Sequence, residues 1–106
     1  MSAKTRGNTD GCLKAVMKAL EKYGQQHPKA SIEGYRQNSV SLRIRIVDPD
    51  FSRLSRADRH EEVWRLLEPL PEEIQSQVST ILLLTPEEQK KSFANLEFDD
   101  PIPSKL

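Results

Sequence analysis

The sequence predicts an α+β domain in which a three-stranded mixed sheet carries helices on one face, in the order α-β-β-α-α-β-α. Three observations lead there. Leu13, Val16, Met17 and Leu20 recur at i, i+3, i+4 and i+7, the spacing of one helix face. Val40, Leu42, Ile44 and Ile46 alternate with Ser41, Arg43 and Arg45, the period of a strand with one buried side. Val78 to Leu84 is an apolar, β-branched run of the kind found in centrally placed strands.

The elements follow in order. Residues 1–9 are polar without periodicity and read as a disordered N-terminal segment ahead of a domain spanning 10–96. Thr9 or Asp10 can cap the first helix, and Gly24 followed by Pro28 marks its stop near Gly24. Ala30 to Gln37 and Val40 to Val47 form two strands around an Asn38-Ser39 turn, and Asp48-Pro49-Asp50 ends the pairing. From Ser55, which Asp58 follows at capping-box spacing, Ala57, His60, Val63, Trp64 and Leu67 share a helical face. Pro71 opens a short further helix, PEEIQSQ. Thr85-Pro86-Glu87-Glu88 places Thr, Pro and Glu at the N-cap, N1 and N3 positions of a last helix, with Phe93 and Leu96 as candidate buried residues. Residues 97–106, rich in acids and proline, read as a flexible tail.

Composition narrows the function. The chain has 106 residues with 16 basic and 16 acidic side chains, and its halves differ: nine Lys/Arg against five Asp/Glu in residues 1–50 gives +4, seven against eleven in 51–106 gives −4. That asymmetry suggests a two-faced surface. No stretch approaches the ~20 apolar residues of a membrane span, and the first residues lack the apolar run of a signal peptide, so a cytoplasmic location is expected. Cys12 stands alone, which leaves it either a small buried residue of the first helix or a reactive thiol.

Catalytic chemistry finds little support. His27 and His60 are the two histidines, and phosphate-cradling and zinc-binding motifs are absent. His27, beside Pro28, reads as a solvated loop residue. The carboxylate pairs Glu61-Glu62, Glu72-Glu73, Glu87-Glu88 and Asp99-Asp100 mostly fall at helix ends or in the tail, where solubility and helix dipoles explain them. The chain is therefore read as non-enzymatic, with no metal ligands assigned. Arg43 and Arg45 are expected on the solvent side of the second strand, with Arg36 joining from its neighbour. Such a basic stripe either keeps a sheet face wet or meets phosphates or an acidic protein.

The segment Phe51-Ser-Arg-Leu-Ser55-Arg-Ala-Asp-Arg59-His60-Glu-Glu-Val63 resembles the BolA family's pattern of Phe, Ser four residues on, then an Arg-His pair and a hydrophobic residue. Thr85-Pro86-Glu87-Glu88 is similar to that family's strand-to-helix ending, and the likeness runs in order over about residues 12–96. It implies a class II KH-like fold, a monothiol glutaredoxin partner and a [2Fe–2S] cluster held between the two; some members are described as transcriptional regulators. Two departures stand out. The family's metal-binding His falls at Gln77, and residues 34–40 contain neither Cys nor His. The GxxG loop of RNA-binding KH domains is replaced by Glu68-Pro69-Leu70-Pro71.

These readings converge on a divergent BolA-like module that binds another protein without a cofactor of its own. The alternative is nucleic-acid binding through Arg36, Arg43 and Arg45, with Arg56 and Arg59 nearby. His60 is either a partner contact or a structural residue of its helix.

Overall fold

A computed structural model describes residues 10–91 and Phe98, together with the backbone of residues 2–6. The order is β1 (Ser2–Arg6), α1 (Gly11–Gln26), β2 (Ser31–Asn38), β3 (Ser41–Val47), a 3-10 helix (Pro49–Arg53), α2 (Arg56–Leu67), α3 (Glu72–Gln75), β4 (Val78–Leu84) and α4 (Pro86–Lys91). The α+β layout with a mixed sheet is as the sequence predicts. The strands lie in the order β1-β2-β3-β4, with the outer pairs parallel and the β2–β3 hairpin antiparallel. No helix among the described residues is long and apolar enough to cross a membrane.

The N-terminal segment departs from expectation. Ser2–Arg6 is a fourth strand, in parallel register with Ser31–Tyr35 of β2. Backbone groups supply that pairing, so a segment without apolar alternation carries no pattern to read. Residues 1 and 7–9 lie outside the described residues.

Local chemistry sets the helix starts. Asp10 caps α1 by accepting the Leu13 amide at 2.8 Å, and Ser55 caps α2 by accepting the Asp58 amide at 3.1 Å. At α4 the box is reciprocal: Glu88 N–H donates to Thr85 Oγ1 (3.1 Å) and Thr85 N–H donates to Glu88 Oε1 (2.9 Å). Phe93 and Leu96 lie outside the described residues. Helix α1 runs on to Gln26, two residues past Gly24, and closes with the His27 amide on the Tyr23 carbonyl.

The core lies between the helices and one sheet face. Leu13, Val16, Met17 and Leu20 of α1 pack on Ile32, Leu42, Ile44 and Ile46, joined by Val63 and Leu67 of α2 and Leu83 of β4. Gly34 belongs to this face, and the helix approaches it closely: a Cβ there would sit 2.7 Å from Met17 Sδ and 2.8 Å from Ile44 Cδ1. Val40, expected in the buried set, is 54% exposed because Asn38 Oδ1 accepts its amide and places it in the turn. On α2 the buried residues are Arg59, Val63 and Leu67, while Ala57 and His60 are exposed, so the buried stripe is rotated from the predicted one.

The other sheet face was expected to stand partly open, with residues 97–106 as a loose tail. Phe98 instead lies on it, 1% exposed, with its ring edge-on to Tyr35 at 4.8 Å and its carbonyl accepting the Tyr35 hydroxyl at 2.8 Å. The remainder of that segment is outside the described residues.

Two outcomes follow from this packing. Gly34→Ala forces buried side chains apart and lowers the unfolding free energy in urea titration by about 1–3 kcal/mol. Phe98→Ala uncovers the outer face and lowers it by about 3–5 kcal/mol in the same measurement.

Candidate functional site

The six side chains singled out in the sequence do not form one surface. Arg36 sits opposite Leu42 in the β2–β3 register and Arg45 opposite Glu33, so Arg36 and Arg45 belong to opposite faces of the sheet. The reason is parity: Glu33 and Tyr35, paired with Arg45 and Arg43, are the β2 residues on the outer face. Arg36 donates to Asp10 Oδ2 at 2.5 Å and to Gln77 Oε1 at 2.8 Å. Its guanidinium holds the Asp10 carboxyl below the usual range. Gln77, where the family resemblance would place a metal-binding His, is thus engaged with Arg36.

Arg45 is not a solvated residue. It is 6% exposed, hydrogen-bonded to Glu33, with its guanidinium 4.7 Å from the centre of the Phe98 ring. Arg43 is part-buried, donating to Gln37 Oε1 at 2.9 Å and to the Tyr35 hydroxyl at 3.4 Å. The expected wet basic stripe is therefore covered and partly neutralised.

Arg59 is buried as well. Its Nε donates to the carbonyls of Phe51 (3.0 Å) and Leu54 (3.2 Å), and one terminal nitrogen donates to the Leu83 carbonyl (3.1 Å) and to Glu88 Oε1 (2.7 Å). The Glu88 carboxyl is pulled from the usual 4.5 to about 2, first by this guanidinium and then by the Thr85 amide.

Arg56 and His60 remain exposed on the first turns of α2, with His60 stacked on Trp64 at 5.8 Å between ring centres. They line a shallow groove with Ile81 to Leu84 of β4. Contrary to the sequence reading, β4 is an edge strand rather than a central one. The Asp48 amide donates to the Leu84 carbonyl at 2.9 Å, so beyond the register shift Thr80, Leu82 and Leu84 turn their backbone groups toward β3 and Ile81 and Leu83 present theirs outward. Arg59 occupies the Leu83 carbonyl. Beyond Ile81 no strand lies alongside β4 among the described residues.

A separate cluster surrounds His27, which the sequence reading left as a solvated loop residue. Its Nδ1 lies 3.1 Å from Asp50 Oδ2 and 3.3 Å from Asp48 Oδ2, and its Nε2 lies 3.9 Å from Glu62 Oε1. Tyr23 stacks on the imidazole at 4.1 Å and donates its hydroxyl to Asp48 Oδ2 at 2.5 Å. Burial and that carboxylate push the phenol far above its usual range, so it stays a donor. Among the described residues, His27, Asp48 and Asp50 are the group that could hold a metal ion. The signal that could have found them is the Asp-Pro-Asp turn following a strand whose end lies against the C-terminus of α1.

No model of a known protein family matches the chain, and no curated protein matches it.

Glu88 supplies a pH test. Its depressed carboxyl adds stability fully present above the unfolded value near 4.5 and lost as pH falls toward about 2. Between about pH 6 and about pH 3, Glu88→Gln loses less stability in urea unfolding than the wild type, having no carboxylate there to protonate.

Proposed function

We propose that the chain is a non-enzymatic, BolA-like protein-binding module that takes an extended segment of its partner along the outer edge of β4, beside Arg56 and His60. The observation that carries this reading is the character of that edge. Val78 to Leu84 contains no charged residue and no proline, the usual blocks to edge pairing. Outward-facing backbone groups at Ile81 supply hydrogen bonds to an added strand, and Arg56 supplies a cation to an acidic side chain on it. The bulge at Ser79, where the β3–β4 register shifts and the hydroxyl donates to the Leu42 carbonyl at 3.2 Å, limits such pairing to the C-terminal half of the strand.

The element order α1-β2-β3-α2-α3-β4-α4 supports the BolA-like reading, as does the Phe51, Ser55, Arg59-His60 and Val63 pattern. A monothiol glutaredoxin is the partner this resemblance brings forward. A cluster shared at the family's positions draws no support from Gln77, whose amide oxygen accepts from Arg36. The nucleic-acid reading has lost its shared surface, since Arg36 and Arg45 lie on opposite faces and Arg59 is buried.

Calorimetric titration with a monothiol glutaredoxin, apo and carrying a reconstituted [2Fe–2S] cluster, tests this reading. The expected result is a 1:1 complex with the apo protein, weakened about tenfold, or about 1.4 kcal/mol, by Arg56→Glu and unchanged by Lys18→Glu on α1. Absence of binding in both forms removes the glutaredoxin assignment, and binding indifferent to Arg56→Glu removes the edge.

A further inference from the structure

The geometry points to a divalent-cation site formed by His27, Asp48 and Asp50, at the junction of α1, the end of β3 and the 3-10 helix. This inference does not rest on the proposed docking at β4.

The donor set is one imidazole nitrogen and two carboxylate oxygens, a combination suited to first-row divalent ions, zinc foremost. With ligand bonds of about 2.0–2.2 Å, a tetrahedral ion separates its donors by roughly 3.3–3.6 Å. His27 Nδ1 already stands 3.3 Å from Asp48 Oδ2 and 3.1 Å from Asp50 Oδ2, and all three donor atoms lie within 4.8 Å of one another. Asp50 is half exposed, so its side chain can swing to close the remaining separation and admit the ion from solvent. Three protein ligands leave a fourth position for water.

The surroundings orient each donor. Asp48 is fully buried; its Oδ1 accepts the Asp50 amide at 3.0 Å, and the Tyr23 hydroxyl fixes Oδ2 in place toward His27. Tyr23 also stacks on the imidazole and sets the ring plane. Glu62 Oε1 lies 3.9 Å from Nε2 on the far side of that ring, beyond hydrogen-bond distance, and its negative charge adds to the field that favours a cation at the cluster. Asp48 is thus held without freedom to turn by the Asp50 amide and the Tyr23 hydroxyl, so two of the three donors are already positioned before an ion arrives.

The test is zinc chloride alone, titrated by calorimetry near neutral pH into the full chain carrying Cys12→Ser, so that the lone thiol contributes nothing. One site per chain is expected, with a zinc-dependent rise in Tm. His27→Ala and Asp50→Asn each weaken it by at least about tenfold. Circular dichroism checks each variant's fold; Asp50, being half exposed, keeps the test decisive if His27→Ala fails to fold. No zinc binding, or a single site that survives Asp50→Asn undiminished, overturns the assignment.

Discussion

Arg59 is the residue on which the arrangement of this domain turns. A guanidinium removed from water is costly unless its donors are used, and here the donors reach three separate pieces of chain: the carbonyls of Phe51 and Leu54, the Leu83 carbonyl near the end of β4, and the carboxylate that caps α4. Its plane also lies 5.5 Å from the centre of the Phe51 ring. A lysine could not span these acceptors, because its donors radiate from one point whereas the guanidinium spreads five over a rigid plane. Glu88 does double service, receiving both Arg59 and the Thr85 amide, so the start of α4 is fixed by the same charge that fixes α2.

That dependence explains which parts of the fold were legible in sequence. Caps and strand periods act over three or four residues, so Ser55 and Thr85 could be assigned from their neighbours alone, and the cap of α1 narrowed to Thr9 or Asp10, of which Asp10 serves. Arg59 could not. It sits in Arg-Ala-Asp-Arg-His, which reads as a wet helix start, and a search for an apolar stripe selects Ala57, His60 and Trp64. The buried stripe runs through Arg59, Val63 and Leu67, and a stripe that begins with a charge is invisible to a hydrophobic pattern. Phe98 was missed for a related reason: its partners Tyr35 and Arg45 lie more than fifty residues away in the chain, and no local rule connects them.

The candidate site was less legible than the fold because strand parity decides which side chains meet. The alternation of β3 was plain, but β2 offers Ile32, Glu33, Gly34, Tyr35 and Arg36, where a glycine interrupts the apolar set and the register shifts between Arg36 and Asn38. An error of one residue in such a strand transfers its whole pattern to the opposite face. Arg36 thereby joined Arg43 and Arg45 on paper while facing Asp10 and Gln77 in the molecule. With Arg36 paired to Asp10 on one face and Arg45 to Glu33 on the other, the excess of basic residues in the first half of the sequence does not gather into one stripe on the sheet.

The 3-10 helix Pro49–Arg53 then becomes the common joint of the structure. One side of it presents the Phe51 carbonyl to Arg59, and through Arg59 to Leu83 on the strand edge. The other presents Asp50 to His27, beside the Asp48 carboxylate that also caps this turn by accepting the Asp50 amide. Asp48 in addition donates its own amide to Leu84. An Asp-Pro-Asp sequence that reads simply as the end of a hairpin therefore ties Leu84, the last residue of β4, to Tyr23 and His27 at the end of α1. Its two acids are unequal in burial, 0% and 50% exposed, and that inequality gives them different work: Asp48 is fixed by its bonds, while Asp50 is free to respond to what approaches from solvent.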